Sequence, residues 1–224
     1  MRRTILALVA LAAVNACSKG NAESAKAPPV PTTTASAVPG RDAEVEAADR
    51  GRILGAAAAP VWMLVVSDFQ CPYCKTWHDN SFAEIKKNYV DTGKLRVAYV
   101  NFPLRIHPNA IPAANAAMCA SAQGKFWETQ DKIFDTQDKW KDISNPAAYF
   151  DSLAVSTGVD AAKQKACASS GKMKALVDGD VERYTRVGVQ STPTFYIGSR
   201  ILLGAQPTPE FRRVIDSVLA TTKK

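Results

Sequence analysis

Val61-Trp62-Met63-Leu64-Val65-Val66 is a continuous apolar, β-rich run that leads through Ser67-Asp68-Phe69-Gln70 into Cys71-Pro72-Tyr73-Cys74. An uninterrupted apolar run bounded by polar residues is the pattern of a strand buried on both faces. After the cysteines, Trp77, Phe82, Ile85 and Tyr89 recur at roughly helical spacing until Thr92-Gly93 stops the helix. Leu95 to Val100 repeats the buried-strand pattern. Strand, helix and strand in this order predict a βαβ unit with parallel pairing through a right-handed crossover. Two cysteines three apart therefore fall where a buried strand gives way to a helix.

Beyond this unit the periodicities predict helices over Ala110–Ala122, Lys125–Thr136 and Met173–Val187. Asn145 is expected as an N-cap with Pro146 at the first helical position, and Asp160 as the cap of another short helix. A hairpin, Thr194–Ile197 and Ile201–Leu203 around Gly198-Ser199, is followed by a helix with Phe211, Val214, Ile215, Val218 and Leu219 on one stripe. The expected class is α/β. With 224 residues, 46% of them hydrophobic, the chain is long enough for one domain with an insertion and too apolar for wholesale disorder.

Met1 to Ala16 reads as a signal peptide: Arg2 and Arg3, an apolar run of about ten residues from Ile5 to Val14, then small residues. The run is too short to cross a ~30 Å hydrocarbon core. Val14-Asn15-Ala16-Cys17 looks like a bacterial lipobox, which implies that Cys17 is the lipid-modified first residue of the mature protein; Asn15 is not a favoured residue there, and ordinary signal cleavage nearby with Cys17 free is the alternative. Residues 17–50, rich in Ala, Pro, Thr and Glu, read as a lipid-anchored tether without apolar periodicity. The folded domain is then expected over 51–222. The localisation expected is the cell envelope, periplasmic or otherwise extracytoplasmic, where disulfides persist. The net charge of +7 comes from dispersed lysines and arginines, a solvated basic surface rather than a nucleic-acid site.

The chemistry lies in Cys71 and Cys74. A cysteine at the start of a helix faces unpaired N–H groups and the positive end of the helix dipole, which favour its thiolate. Such placement brings a thiol pKa from ~8.5 to between ~3.5 and ~7.5. Cys71 attacks a substrate sulfur or is attacked when oxidised, and Cys74, one turn deeper, resolves the mixed disulfide. Pro72 stiffens the ring without losing a needed donor. His78 follows Cys74 by four residues, but no fourth ligand is apparent and proline rarely sits inside a zinc knuckle, so no metal is expected. His78 reads as a solvent-facing helix residue and His107 as a loop or helix-start residue; neither reads as a base.

Ser67-Asp68-Phe69-Gln70-Cys71-Pro72-Tyr73-Cys74 resembles the active-site stretch of DsbA-like thiol:disulfide oxidoreductases. Phe102-Pro103-Leu104, His107-Pro108, Gln123-Gly124-Lys125-Phe126-Trp127 and Ser191-Thr192-Pro193-Thr194-Phe195 continue the resemblance, from about Arg50 to about Leu219. It implies a thioredoxin-like fold, a central sheet flanked by helices, with an inserted α-helical subdomain at about 105–172. It also implies a cis Thr192–Pro193 peptide facing the cysteines, in a loop that meets an incoming peptide as a strand would. Two departures stand out. Tyr73 occupies the place where strongly oxidising members carry histidine, which points to an oxidant of intermediate strength. Val65, six before Cys71, stands where thioredoxin-like enzymes often bury a carboxylate; Asp68 is a nearby substitute or a simple turn carboxylate.

Cys119 and Cys167 remain, each within an expected helix of the insertion. A structural disulfide between them is the natural reading for an exported protein, and two buried free thiols are the alternative. The function expected is an extracytoplasmic oxidoreductase that exchanges the Cys71–Cys74 disulfide with folding proteins. It needs no cofactor beyond that disulfide and acts as a monomer. A membrane redox partner restores it, and the lipid on Cys17 keeps it at the membrane. The alternatives are a reductase or isomerase of the same fold and a non-catalytic lipoprotein chaperone or binding module with structural disulfides.

Overall fold

The computed structural model describes residues 42–222. The signal peptide, Cys17 and the tether up to residue 41 lie outside the described residues. The tether reading ends too late: Ala43–Gly51 is a helix, α1, capped by Asp42, whose side chain accepts from the Glu44 N–H at 2.9 Å. Glu44 and Glu46 in its first turn and Arg50 in its last complement the helix dipole. Its alanine-rich sequence lacks an apolar stripe, yet it packs on the insertion, where the Ser121 hydroxyl donates to the Ala48 carbonyl at 2.6 Å. Gly51 is required there, since a Cβ would lie 2.5 Å from the Ser121 carbonyl oxygen.

The sheet has five strands in the order β1-β3-β2-β4-β5. β2 (Val61–Ser67) and β3 (Leu95–Asn101) pair in parallel from Val61↔Leu95 to Ser67↔Asn101. β4 (Thr194–Ile197) runs antiparallel to β2, and β5 (Arg200–Leu203) closes the hairpin on the outer edge. β1 (Ile53–Leu54), two residues long, lies antiparallel to β3 on the opposite edge. A strand this short leaves no periodicity to read.

The helical run after Cys71 comprises α2 (Pro72–Trp77), a π-helical turn His78–Phe82, α3 (Ala83–Ile85) and a second π-helical turn Lys86–Val90. These wider turns explain why the apolar spacing is only approximately helical. Trp77, Ile85 and Tyr89 bury against Val61, Met63 and Val65 of β2 together with Phe211 and Ile215 of α10 (Thr208–Thr222). Leu64, Val66, Ala98 and Val100 point to the other face, where Tyr184 of α9 (Lys174–Arg186) covers them.

The insertion contains α4 (Ala110–Ser121), α5 (Phe126–Asp135), α6 (Gln137–Trp140), α7 (Ala147–Val155) and α8 (Ala161–Ser170). α4 is buried on nearly every side, and its alanines admit close neighbours while Phe126, Phe134, Trp140 and Phe150 fill the space around it. Pro146, not Asn145, is the residue that precedes the first turn of α7. Asp160 caps α8 by accepting from the Lys163 N–H at 2.8 Å. Cys119 of α4 and Cys167 of α8 form a disulfide with Cα atoms 5.7 Å apart.

A buried polar cluster joins the layers. The Arg52 guanidinium bonds Asp180 of α9, Asp49 of α1 and the Tyr99 carbonyl, while Asp180 also accepts from the Asn101 N–H at 3.0 Å. Paired this way, neither buried charge is left uncompensated.

Candidate active site

β2 delivers Ser67 and Asp68 to the end of the sheet, and the chain turns there before α2. Cys71 has extended backbone dihedrals (φ −70°, ψ 123°) as the N-cap of α2, with Pro72 following inside the first turn. Its N–H donates to the Asp68 carbonyl at 3.1 Å, and its carbonyl starts the helix by accepting from the Lys75 N–H at 3.2 Å. Proline fits at this place because that N–H has no intrahelical partner.

The two thiols are placed for opposite tasks. Cys71 has its pKa lowered to about 6. A hydrogen bond from Cys74 is the largest cause, with further stabilisation from Thr192 and from the backbone N–H groups of Cys74 and Tyr73, against the penalty of burial. Cys74 is fully buried, and burial raises its pKa well above the ordinary thiol value; the neighbouring Cys71 charge adds to this. One sulfur is thus a thiolate at neutral pH while the other keeps its proton and donates to it. Both cysteines are free thiols here, so this is the dithiol form.

Cys71 is covered rather than exposed, at 3% of its full accessibility. The cover is the loop before β4: the Thr192–Pro193 peptide is cis, and the Cys71 thiol lies 3.5 Å from the Thr192 carbonyl oxygen. The Thr192 hydroxyl is buried without a hydrogen-bond partner. Tyr73 faces outward, 66% exposed.

Asp68 is more than a turn carboxylate. It is buried, and its oxygens accept from the Gln70 N–H (2.7 Å), the Leu104 N–H (2.8 Å) and His107 Nδ1 (2.6 Å). Burial raises its pKa, opposed by those three bonds. Its own N–H points at the Cys74 sulfur, 3.5 Å away. His107 is therefore a partner of the cysteine loop and not merely the start of a helix. The pairing crosses 39 residues of sequence, and the signal that could have revealed it is a histidine between two loop-forming segments after β3.

The insertion holds the loop in place. Gln137 donates to the carbonyls of Phe69 (2.7 Å) and Cys71 (3.2 Å). Gln70 bonds the Lys141 carbonyl and the Asn109 N–H, while Asn109 donates to the carbonyls of Trp140, Lys141 and Ile143. His78 is also tied inward instead of facing solvent: its nitrogens lie 3.1 Å from Asp79 and 2.9 Å from Asp131 of α5, and its ring rests on Phe134. With Asp135 nearby this corner is acidic, and His78 engages carboxylates, not the cysteine sulfurs.

Sheet, flanking helices and a thiol pair at a helix start opposite a cis-proline loop define a thioredoxin-fold protein. A family model described as thioredoxin matches residues 47–217. Among curated proteins the chain is 27% identical over 172 residues to the "Probable disulfide bond formation protein D" of Bacillus anthracis, covering 74% of this chain and 77% of that protein. It is 31% identical over 152 residues to the "Na(+)/H(+) antiporter NhaA 1" of Mycolicibacterium vanbaalenii, covering 66% of this chain but only 23% of the antiporter. The chain thus spans about a quarter of the antiporters it matches, and no helix among its described residues is long and apolar enough to cross a membrane. The solved structure of oxidised BdbD from Bacillus subtilis superposes with a TM-score of 0.69 at 23% identity, over 76% of this chain and 94% of that one. α-DsbA1 of Wolbachia pipientis gives 0.67 at 23% identity, over 76% and 92%. The chain belongs to the thioredoxin family.

Proposed function

We propose that the chain is an extracytoplasmic thiol:disulfide oxidoreductase that passes a Cys71–Cys74 disulfide to folding proteins. The observation that carries this is the asymmetry of the pair: Cys71 lowered to about 6, Cys74 raised and buried. A thiolate of low pKa is a good leaving group, so a mixed disulfide between Cys71 and a substrate is released readily when a second substrate thiol attacks the substrate sulfur. If no such thiol arrives, Cys74 attacks Cys71 and returns the substrate reduced. Thr192 and Pro193 flank the sulfur where a substrate backbone would align, and Pro72 and Tyr73 form the rim of the ring.

The chain is exported by residues 1–16 and held at the membrane through a lipid on Cys17, with a membrane redox partner restoring the disulfide. It works as a monomer with no cofactor besides the disulfide itself, and Cys119–Cys167 braces the insertion. Tyr73, neutral and exposed, gives the Cys71 thiolate no charge stabilisation, which supports an oxidant of intermediate strength. The test is oxidation of a reduced two-cysteine peptide by the oxidised chain. Stoichiometric disulfide formation that disappears in Cys71→Ser is expected; an unchanged rate in Cys71→Ser overturns the reading. Cys74→Ser should accumulate a mixed disulfide with the peptide.

A further inference from the structure

When a thiolate attacks Cys71, the electron pair of the broken disulfide goes to Cys74, whose sulfur lies in a fully buried residue. A charge formed there needs donors aimed at it, because apolar surroundings penalise an unpaired ion. The Asp68 N–H, 3.5 Å from the Cys74 sulfur, is one such donor. Val65, packed with Trp77 on the face of β2 that meets α2, supplies none.

The neighbouring strand carries a phenol that the exchange described so far does not use. Tyr99 of β3 is the register partner of Val65 across the parallel pair, so the two side chains share one face of the sheet. Ser67, two residues beyond Val65, lies on that face as well. The Tyr99 ring is buried in one cluster with Cys71, Cys74 and Phe69, and stacks on Phe69 with centroids 5.0 Å apart. Its backbone is tied to Arg52, donating to the Arg52 carbonyl at 3.1 Å and accepting from the guanidinium at 3.2 Å. The Tyr99 hydroxyl, by contrast, is buried without a hydrogen-bond partner among the described residues. A buried polar group left unpaired is rare and needs a reason. The groups that act on it belong to the cysteine loop. Burial raises the Tyr99 pKa well above its ordinary value, the Cys74 charge adds to this, and the Ser67 hydroxyl works against it. The Ser67 hydroxyl likewise works against the raised pKa of Cys74, so it is in reach of both phenol and sulfur.

We propose that Tyr99 is a positioning residue for the Cys74 leaving group, its hydroxyl orienting Ser67 so that Ser67 donates to the departing sulfur. The inference rests on the oxidoreductase reading above. In the first step a substrate thiolate, its proton lost to solvent, bonds to Cys71 Sγ as the Cys71–Cys74 bond breaks. The electron pair passes to Cys74 Sγ, where the Ser67 O–H and the Asp68 N–H meet it while the Tyr99 O–H donates to Ser67 Oγ. Cys74 then takes one proton from solvent, and Ser67 and Tyr99 end unchanged. A second substrate thiolate attacks the substrate sulfur and expels the Cys71 thiolate. Two substrate thiols are oxidised, one enzyme disulfide is reduced, and of the two protons released one ends on Cys74. The Tyr99 hydroxyl lacks a partner in the dithiol form because Cys74 is protonated there; its bond forms while Cys74 carries charge. An interaction made only at that stage speeds exchange in both directions and leaves the equilibrium unmoved.

The experiment compares the whole chain with Tyr99→Phe, Ser67→Ala and the double variant. Two rates are read by rapid mixing: attack of reduced glutathione on the oxidised chain, and closure of the Cys71–glutathione mixed disulfide back to the oxidised chain. The mixed disulfide is made by mixing the dithiol chain with excess glutathione disulfide. Both rates should fall about tenfold in Tyr99→Phe, the order supplied by one hydrogen bond to a charged group. Their ratio, which is the equilibrium constant of the step, should stay unchanged. Ser67→Ala should lose at least as much, and the double variant no more than Ser67→Ala alone, because the phenol acts through Ser67. Ser67→Thr, which keeps the hydroxyl, should recover most of the rate. Unchanged rates in Tyr99→Phe, a shifted ratio, or losses that multiply in the double variant overturn the proposal. If Tyr99→Phe does not fold, Ser67→Ala and Ser67→Thr decide by the same two rates and their ratio. Failure of the unsubstituted oxidised chain to react with glutathione would instead overturn the oxidoreductase reading.

Discussion

Two cysteine pairs in one molecule have opposite surroundings. Cys71 and Cys74 lie three residues apart, at the start of a helix, under a loop that can receive a peptide backbone. Cys119 and Cys167 lie 48 residues apart in two helices packed within the insertion. Burial alone does not separate them, because all four are buried. The difference is what the sulfur meets: Cys71 meets N–H groups and a thiol that favour its charge, whereas Cys119 and Cys167 meet each other. Reactivity follows from hydrogen-bond donors around a sulfur, and bracing follows from the length of chain that a disulfide closes.

Exchanging the lesions breaks this comparison most directly. Cys71→Ser should reduce peptide oxidation to the uncatalysed background while leaving the unfolding midpoint almost unchanged. Removing both Cys119 and Cys167 should do the reverse, costing about 2–4 kcal/mol in urea unfolding with exchange retained by the folded fraction. Exchange lost in the second variant under native conditions would mean that the insertion disulfide takes part in the chemistry.

Gln137 tests how far the insertion serves the reactive pair. Gln137→Ala takes a donor from the Phe69 carbonyl and a second one from the Cys71 carbonyl, which keeps the Lys75 N–H, and about 1–3 kcal/mol of stability should be lost. A smaller effect is expected from Thr192→Val, which removes one stabiliser of the Cys71 thiolate. Its pKa should rise from about 6, read from the pH dependence of alkylation.

Much of this was legible in the chain, for reasons that differ by element. β2, β3 and the cysteine placement are visible because a strand buried on both faces leaves a continuous apolar run. α1 was hidden because it docks through alanines and a glycine, whose small surfaces give no periodic signal. β1 is too short to show a pattern. Cys71 and Cys74 are marked by spacing, whereas the Asp68–His107 contact depends on two loops meeting across 39 residues, which no local pattern encodes. His78 misled because a π-helical turn and the approach of α5 bring it to Asp131 instead of solvent.

That histidine supplies the smallest expected effect. Although burial opposes its charge, hydrogen bonds that its ring donates to the carboxylates of Asp131 and Asp79 hold the His78 pKa above its ordinary 6.5. A folded pKa raised above the unfolded one gives stability that is fully present below about 6.5 and lost as pH rises through the folded value. His78→Phe should therefore lower stability by no more than about 1 kcal/mol at pH 5.5, and by less at pH 8. A larger loss at pH 8 than at pH 5.5 would reverse the assignment.

The central claim is that one sulfur of the reactive pair is a thiolate and the other a protected thiol. It is tested by the pH dependence of alkylation of the reduced chain, with the modified residue identified by peptide mass. A single midpoint near 6 with modification confined to Cys71 is the expected result. A midpoint near the ordinary thiol value of ~8.5, or equal modification of Cys74, would contradict it.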